Sequence, residues 1–198
     1  METRLRIYLT GVGGQGSLTA TTLFARLALD QDLAVVSGEV HGMAQRGGVV
    51  ESAILLGGWQ SPTLSPGEAD ILLGFEPLET LRGLPFLKAG GAVFSSTDFL
   101  PPSSVSAGKA SLPSLSSIQE AVRAIAARAW FLPIRGIGAA AGSSQSGNAA
   151  MLGALCASGL LPFGLEALTS AIRAYLPAKL VPANLAAAAK GAEWPESR

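Results

Sequence analysis

Charge is scarce in this sequence: Asp, Glu, Lys and Arg together make up 14% of its 198 residues, against about 25% in an ordinary soluble chain. The balance is even, 14 basic against 14 acidic side chains, which leaves no basic footprint for nucleic acid or an anionic membrane. Cysteine occurs once, as Cys156, and histidine once, as His41. One thiol forms no internal disulfide, and the two residues together cannot ligate an iron–sulfur cluster or a Cys/His zinc ion. Without a disulfide framework the expected compartment is the reducing cytoplasm. The first residues run straight into a strand-like segment without a signal-peptide apolar region. No unbroken apolar run of about 18 residues marks a membrane span; the nearest, residues 136–163, is interrupted by Gly and Ser clusters. Also missing are a GxxxxGK[ST] phosphate loop and a GxSxG nucleophile elbow.

Apolar residues are plentiful, at 48%, so the chain can bury a sizeable core and wholesale disorder is excluded. At 198 residues it is long enough for one large domain. LRIYLT at 5–10 reads as a buried strand, GVGGQG at 11–16 as a glycine-rich turn, and SLTATTLFARLAL at 17–29 as an amphipathic helix with Ser17 as its cap. LAVV at 33–36 reads as the second strand. This β-turn-α-β opening predicts an α/β fold, a single Rossmann-like domain with a mostly parallel sheet. Further strands are expected at 49–56, 69–74 and 92–95, and helices at 77–88 and 118–129. A helical C-terminal portion follows, with pieces at 136–142, 148–158, 165–175 and 184–190 and Asn148 as a cap. The Ser/Pro-rich stretch at about 95–117 is expected to be flexible.

Three segments can carry chemistry. Gly11, Gly13, Gly14, Gln15 and Gly16 form a GxGxxG turn between a strand and a helix. Glycines there permit a tight turn, and the amides of the helix start favour an anionic oxygen. The plainer reading is a tight βα corner and nothing more. Residues 37–48, SGEVHGMAQRGG, read as a polar loop holding Glu39, His41, Gln45, Arg46 and Gly47. Arg46 beside a glycine pair offers a forked anion contact with open amides. In the strand order usual for such folds this loop lies at the same sheet edge as the glycine turn. Glu39 is the only late candidate for a ribose-binding acid, so a nicotinamide dinucleotide site is poorly supported. Third, Glu76 precedes Pro77 and fits a helix N-cap; paired with Glu79 it has no partner for glycosidase-like chemistry. Cys156, in an apolar helical run, reads as a small buried hydrophobe.

Taken together, residues 11–28, 37–52, 61–82 and 147–155 resemble the beta-subunit family of indolepyruvate:ferredoxin oxidoreductases, and more broadly the gamma-type domain of 2-oxoacid:ferredoxin oxidoreductases. The likeness runs in order along nearly the whole chain, 1–198, and the text around His41 and Arg46 is its most specific part. The chain departs in reading Ser37-Gly38-Glu39 where the family has Ser directly before Glu, and 95–117 matches poorly. The resemblance implies a non-redox small subunit of a complex that oxidatively decarboxylates arylpyruvates such as indolepyruvate to aryl-acetyl-CoA and passes electrons to ferredoxin. It implies that thiamine diphosphate, magnesium and iron–sulfur clusters reside on a larger alpha subunit, with coenzyme A as co-substrate and no cofactor held by this chain alone. His41 is then a candidate catalytic residue, and the glycine turn with Glu39, Gln45, Arg46 and Gly47 a candidate anion or coenzyme A site. The competing reading is a free-standing Rossmann-type nucleotide-binding protein or NAD(P)-dependent oxidoreductase.

Overall fold

A computed structural model describes residues 4–41 and 48–197. Six strands form one sheet: β1 (Leu5–Val12), β2 (Val35–His41), β3 (Val49–Leu56), β4 (Ala69–Gly74), β5 (Leu87–Ser96) and β6 (Arg128–Leu132). Their order across the sheet is β2-β3-β1-β4-β5-β6. The pairs β1–β4, β4–β5 and β5–β6 are parallel, whereas β3 runs antiparallel to both β1 and β2. The helices are α1 (Ser17–Asp30), α2 (Pro77–Gly83), α3 (Ser103–Ser106), α4 (Leu115–Ile125), α5 (Ile134–Ala140), α6 (Gly147–Ala157), α7 (Leu165–Tyr175) and α8 (Val181–Ala192). The expected single α/β domain with a mostly parallel sheet and a helical C-terminal portion is what the chain forms. β3 lies antiparallel beside β2, the strand before it in sequence, a pairing that needs no crossover helix.

The sheet is covered on both faces, and alternation along β1 shows how. Ile7 and Leu9 enter one buried cluster with Phe24, Leu27 and the C-terminal helices, while Tyr8 enters the other with Leu72, Val93, Ile118 and Val122. Strand side chains alternate between faces, so a one-residue slip would exchange the two cores. Helix α6 has nine of its eleven residues buried; a helix apolar on every side belongs inside a layer of helices. It packs most extensively on α8. A methyl group on Gly153 would strike Ala188 O of α8, and one on Gly191 would strike Ala150 O of α6. The two backbones approach to contact because neither side carries a Cβ there.

Several expected boundaries differ. The second strand does not end at 36; it continues through His41, because Ser37–His41 pair along β3. The helix expected over 77–88 stops at Gly83, a 3₁₀ turn follows at Leu84–Phe86, and Leu87 opens β5. The helix expected over 118–129 begins earlier and ends at Ile125, and residues 128–132 form a sixth strand that was not anticipated. Ser17 is not the cap of α1: Gly16 is, in the left-handed region at φ +79 and without a side-chain bond. Asn148 does not cap α6 either, since the helix begins at Gly147 with Ser146 before it. Among the described residues no helix is long and apolar enough to cross a membrane.

Candidate functional site

Every forward-running strand delivers its C-terminal end to one edge of the sheet, where ligands of open α/β sheets bind. The glycine turn lies at that edge. Gly11 and Val12 close β1, Gly13, Gly14 and Gln15 make the turn, and Gly16 caps α1. Gly14 sits at φ +94 and Gly16 at φ +79, a region most L-residues avoid. Gln15 holds the turn shut. Its Oε1 accepts from Val12 N at 2.8 Å, its Nε2 donates to Phe75 O at 3.3 Å, and its own carbonyl accepts from Asn148 Nδ2 at 2.7 Å. Gly13 N donates to Gly48 O at 2.8 Å. Among the described residues the amides of Gly14, Gly16 and Ser17 meet no protein acceptor. No acidic side chain occupies the first turn of α1, so its positive end is left open to an anion.

Two cavities flank this turn. One, of about 500 Å³, is lined by Gly13, Gly14, Gln15, Leu100, Ile134, Arg135, Ser144, Gln145 and Asn148. The other, of about 220 Å³, runs from Gly14 and Gly16 between α1, α6 and α8, past Leu23, Leu152, Leu180 and Ala183. Gly14, Gln15, Gln145 and Asn148 border both. Arg135 is exposed and joins no ion pair among the described residues. Its backbone amide donates to Asp98 Oδ2 at 2.8 Å. The edge thus offers unused amides, amide and hydroxyl side chains, and one unpaired guanidinium around an open space, with apolar walls in the narrower chamber.

The other sequence candidates are placed differently. Gln45, Arg46 and Gly47 lie outside the described residues. Glu39 and His41 belong to β2, the outermost strand, and not to a loop. The register puts His41 opposite Val50, which is opposite Gly11, and Glu39 opposite Ser52, which is opposite Leu9. Two strand spacings, roughly 10 Å, therefore separate them from β1. A dinucleotide site needs its acid on the strand beside β1, and β3 occupies that place here. Arg135, Ser144, Gln145 and Asn148 were missed as candidates. Their signal is weak: the serine-rich run 143–147 carries no motif beyond the absent hydrolase elbow, and Arg135 reaches the site edge through β6, whose pattern merges with that of α4.

Glu76 carries out the helix-starting role expected of it. It is 1% exposed, and its carboxylate accepts from Glu79 N at 2.9 Å and from Leu100 N at 3.3 Å. Burial nevertheless pushes its pKa up, against the lowering effect of those amides and of Arg82. Glu79 is likewise raised by burial, although its Oε1 accepts from Arg82 Nη1 at 2.7 Å. A carboxyl raised in the folded state binds its proton more readily there than in the unfolded chain. Its contribution to stability is therefore fullest at low pH and falls as pH rises from the unfolded value near 4.5 through the folded one. Glu76→Gln keeps an acceptor oxygen for the Glu79 amide and removes this titration. Its urea midpoint should decline less than that of the parent as pH rises from about 4.5; parallel declines would contradict the assignment.

The family model described as pyruvate ferredoxin/flavodoxin oxidoreductase matches residues 6–194. Over 188 residues the chain is 39% identical to an indolepyruvate oxidoreductase subunit IorB of Archaeoglobus fulgidus, covering 95% of this chain and 94% of that one. Its structure is similar to pyruvate oxidoreductase subunit PORC of Thermotoga maritima, with a TM-score of 0.73, 18% identity and full coverage of both chains. It is also similar to 2-oxoglutarate:ferredoxin oxidoreductase of Magnetococcus marinus with 2-oxoglutarate, coenzyme A and succinyl-CoA bound. There the TM-score is 0.69 at 20% identity, over 96% of this chain and 31% of that one. At such identities the two structures speak for the fold alone.

Proposed function

The chain belongs to the pyruvate ferredoxin/flavodoxin oxidoreductase family, and on that footing we propose that it is the non-redox small subunit of a cytoplasmic 2-oxoacid:ferredoxin oxidoreductase complex. The substrate is indolepyruvate or a related arylpyruvate, converted to the aryl-acetyl-CoA with electrons passed to ferredoxin. What supports the aromatic substrate is the 39% identity to an indolepyruvate oxidoreductase subunit over nearly the full length of both chains. A larger partner carries thiamine diphosphate, magnesium and the iron–sulfur clusters. The described residues offer no ligand set for an iron–sulfur cluster. Among the described residues no three His, Cys, Asp or Glu side chains come together as ligands. The lone thiol, Cys156, is buried, and burial pushes its pKa up to about 12, so it is a poor thiolate.

What this chain does is bind and position. Gly14 and Arg135 line the larger cavity, and Gly16, at the open end of α1, lines the narrower chamber beside it; with the unused amides of Gly14 and Gly16 they make one anion-favouring surface. That surface is the observation that carries the proposal: it suits a phosphate group of coenzyme A, held while the thiol end reaches the partner's active centre. Arg46 and Gly47, which lie outside the described residues, are assigned to the same site from the sequence alone. His41, at the end of β2, is the residue of this chain assigned to the reacting region. The test is Arg46→Ala in the assembled complex: a raised KM for coenzyme A supports the surface, and an unchanged KM with unchanged turnover removes Arg46 from it.

A further inference from the structure

A third cavity, of about 240 Å³, opens on the sheet face opposite α1. On that face α2 packs against β1, β4 and β5, and α4 against β5 and β6. Over β2 and β3 the cover is Pro62 and its neighbours instead. Pro62 rests on Gly38, where a Cβ would come within 2.7 Å of its ring. The floor is Tyr8, stacked on Phe86 at 4.5 Å between ring centroids. Glu51 and Val40 share the Tyr8 face by register, whereas Glu39 borders the pocket from β2 with its side chain directed to the other face.

Two buried polar atoms, one in this pocket and one behind it, lack a full hydrogen bond among the described residues. The Tyr8 side chain is 5% exposed, and its hydroxyl lies near the Glu51 carboxylate without closing a full hydrogen bond to it. Behind it, Glu79 turns one oxygen to Arg82 and leaves the buried other, Oε2, unpaired. Buried polar atoms are seldom left so. Burial and the carboxylates of Glu51 and Glu79 push the Tyr8 hydroxyl upward in pKa, so it remains protonated at any ordinary pH. Among the described residues the pocket face carries the Glu51 carboxylate and the Tyr8 hydroxyl, and no lysine or arginine. Such a pocket is the complement of a side chain with several donors and a positive charge. Its volume lies below the roughly 300–1,000 Å³ of pockets that hold whole small molecules. Beside it Val40 and Val49 are exposed at 69% and 37%, on the same face by register. That apolar rim suits a protein surface better than a free amine.

We infer that this pocket is a docking socket for one lysine or arginine side chain of the larger subunit, received between the Tyr8 hydroxyl and the Glu51 carboxylate. The inference rests on the subunit reading above and adds to it a surface on the far side of the sheet from α1. A charge removed from a buried, hydrogen-bonded pair costs far more than one removed from an exposed rim. Glu51→Gln should therefore weaken association of the separated subunits by about tenfold or more. Glu51→Lys should abolish it, and Tyr8→Phe should weaken it several-fold. Glu166→Gln, exposed on α7, should change nothing. Amide hydrogen exchange supplies a second reading: β2 and β3 of the parent chain should gain protection on assembly. Parent-like affinity of both Glu51 variants, with no protection gained in β2 and β3, overturns the socket and leaves the subunit reading intact. A homodimer lost in the Glu51 variants while heteromer forms normally also overturns it, in favour of a second copy. Failure of the parent chain to bind the co-expressed larger subunit overturns both readings.

Discussion

Arg135→Ala should raise the KM for coenzyme A by about 10- to 100-fold in the assembled complex, with kcat at saturating coenzyme A held. The range follows from the roughly 1.5–3 kcal/mol carried by a hydrogen bond to a charged group, at about 1.4 kcal/mol per factor of ten. Arg135 is a suitable anion contact for three structural reasons. It lines the larger cavity beside Gly13 and Gly14, it joins no ion pair among the described residues, and its backbone is fixed by Asp98. Loss of uniform binding appears in KM and not in kcat, which separates this role from a catalytic one. Arg135→Lys keeps the charge but loses the fork, so it should recover part of the affinity. A parent-like KM for the alanine variant would remove Arg135 from the site.

Gly191→Val should be the most damaging single change to the fold. At Gly191 the α8 backbone touches Ala150 O of α6, and at Gly153 the α6 backbone touches Ala188 O of α8. A valine there has nowhere to go except by prising the two helices apart. Overpacking a core costs about 1–3 kcal/mol when side chains can shift, and a backbone carbonyl shifts less readily than a side chain. For a chain of this length each kcal/mol lowers Tm by about 2–4 °C, so a fall of about 10 °C or complete loss of soluble protein is expected. Ala189→Val, one turn face away and exposed, should shift Tm by no more than about 2 °C, given helix propensity differences of at most ~0.7 kcal/mol. Equal melting of the two variants would show that the α6–α8 contact is not as tight as described.

The parts of the fold legible in the sequence were those where one local rule decides the outcome. The turn at 11–16 announces itself because a short apolar strand must reverse into a helix within a few residues, and glycine is what allows Gly14 and Gly16 their positive φ. The helix Leu165–Tyr175 was read to the residue because its apolar period meets the core on one side only. β6 was not legible. Its AWFL follows directly on the apolar stripe of α4, so the two patterns merge into one longer helix, and pairing with β5 rather than propensity makes it a strand. The same tertiary pairing carries β2 on through Gly38, Glu39 and His41, residues of poor strand propensity. For the site, the glycine turn could be named in advance because its amides are local. Arg135, Gln145 and Asn148 could not, since they arrive from more than a hundred residues away along a strand and a helix whose ends the sequence left blurred.

A non-redox small subunit should not come out of the cell alone. Purifying the tagged chain anaerobically from native extract, and reading the visible spectrum, the thiamine content and the mass of what co-elutes, should give a brown, stoichiometric larger partner containing thiamine diphosphate. A colourless, monodisperse protein of 20.1 kDa with no partner would contradict that role.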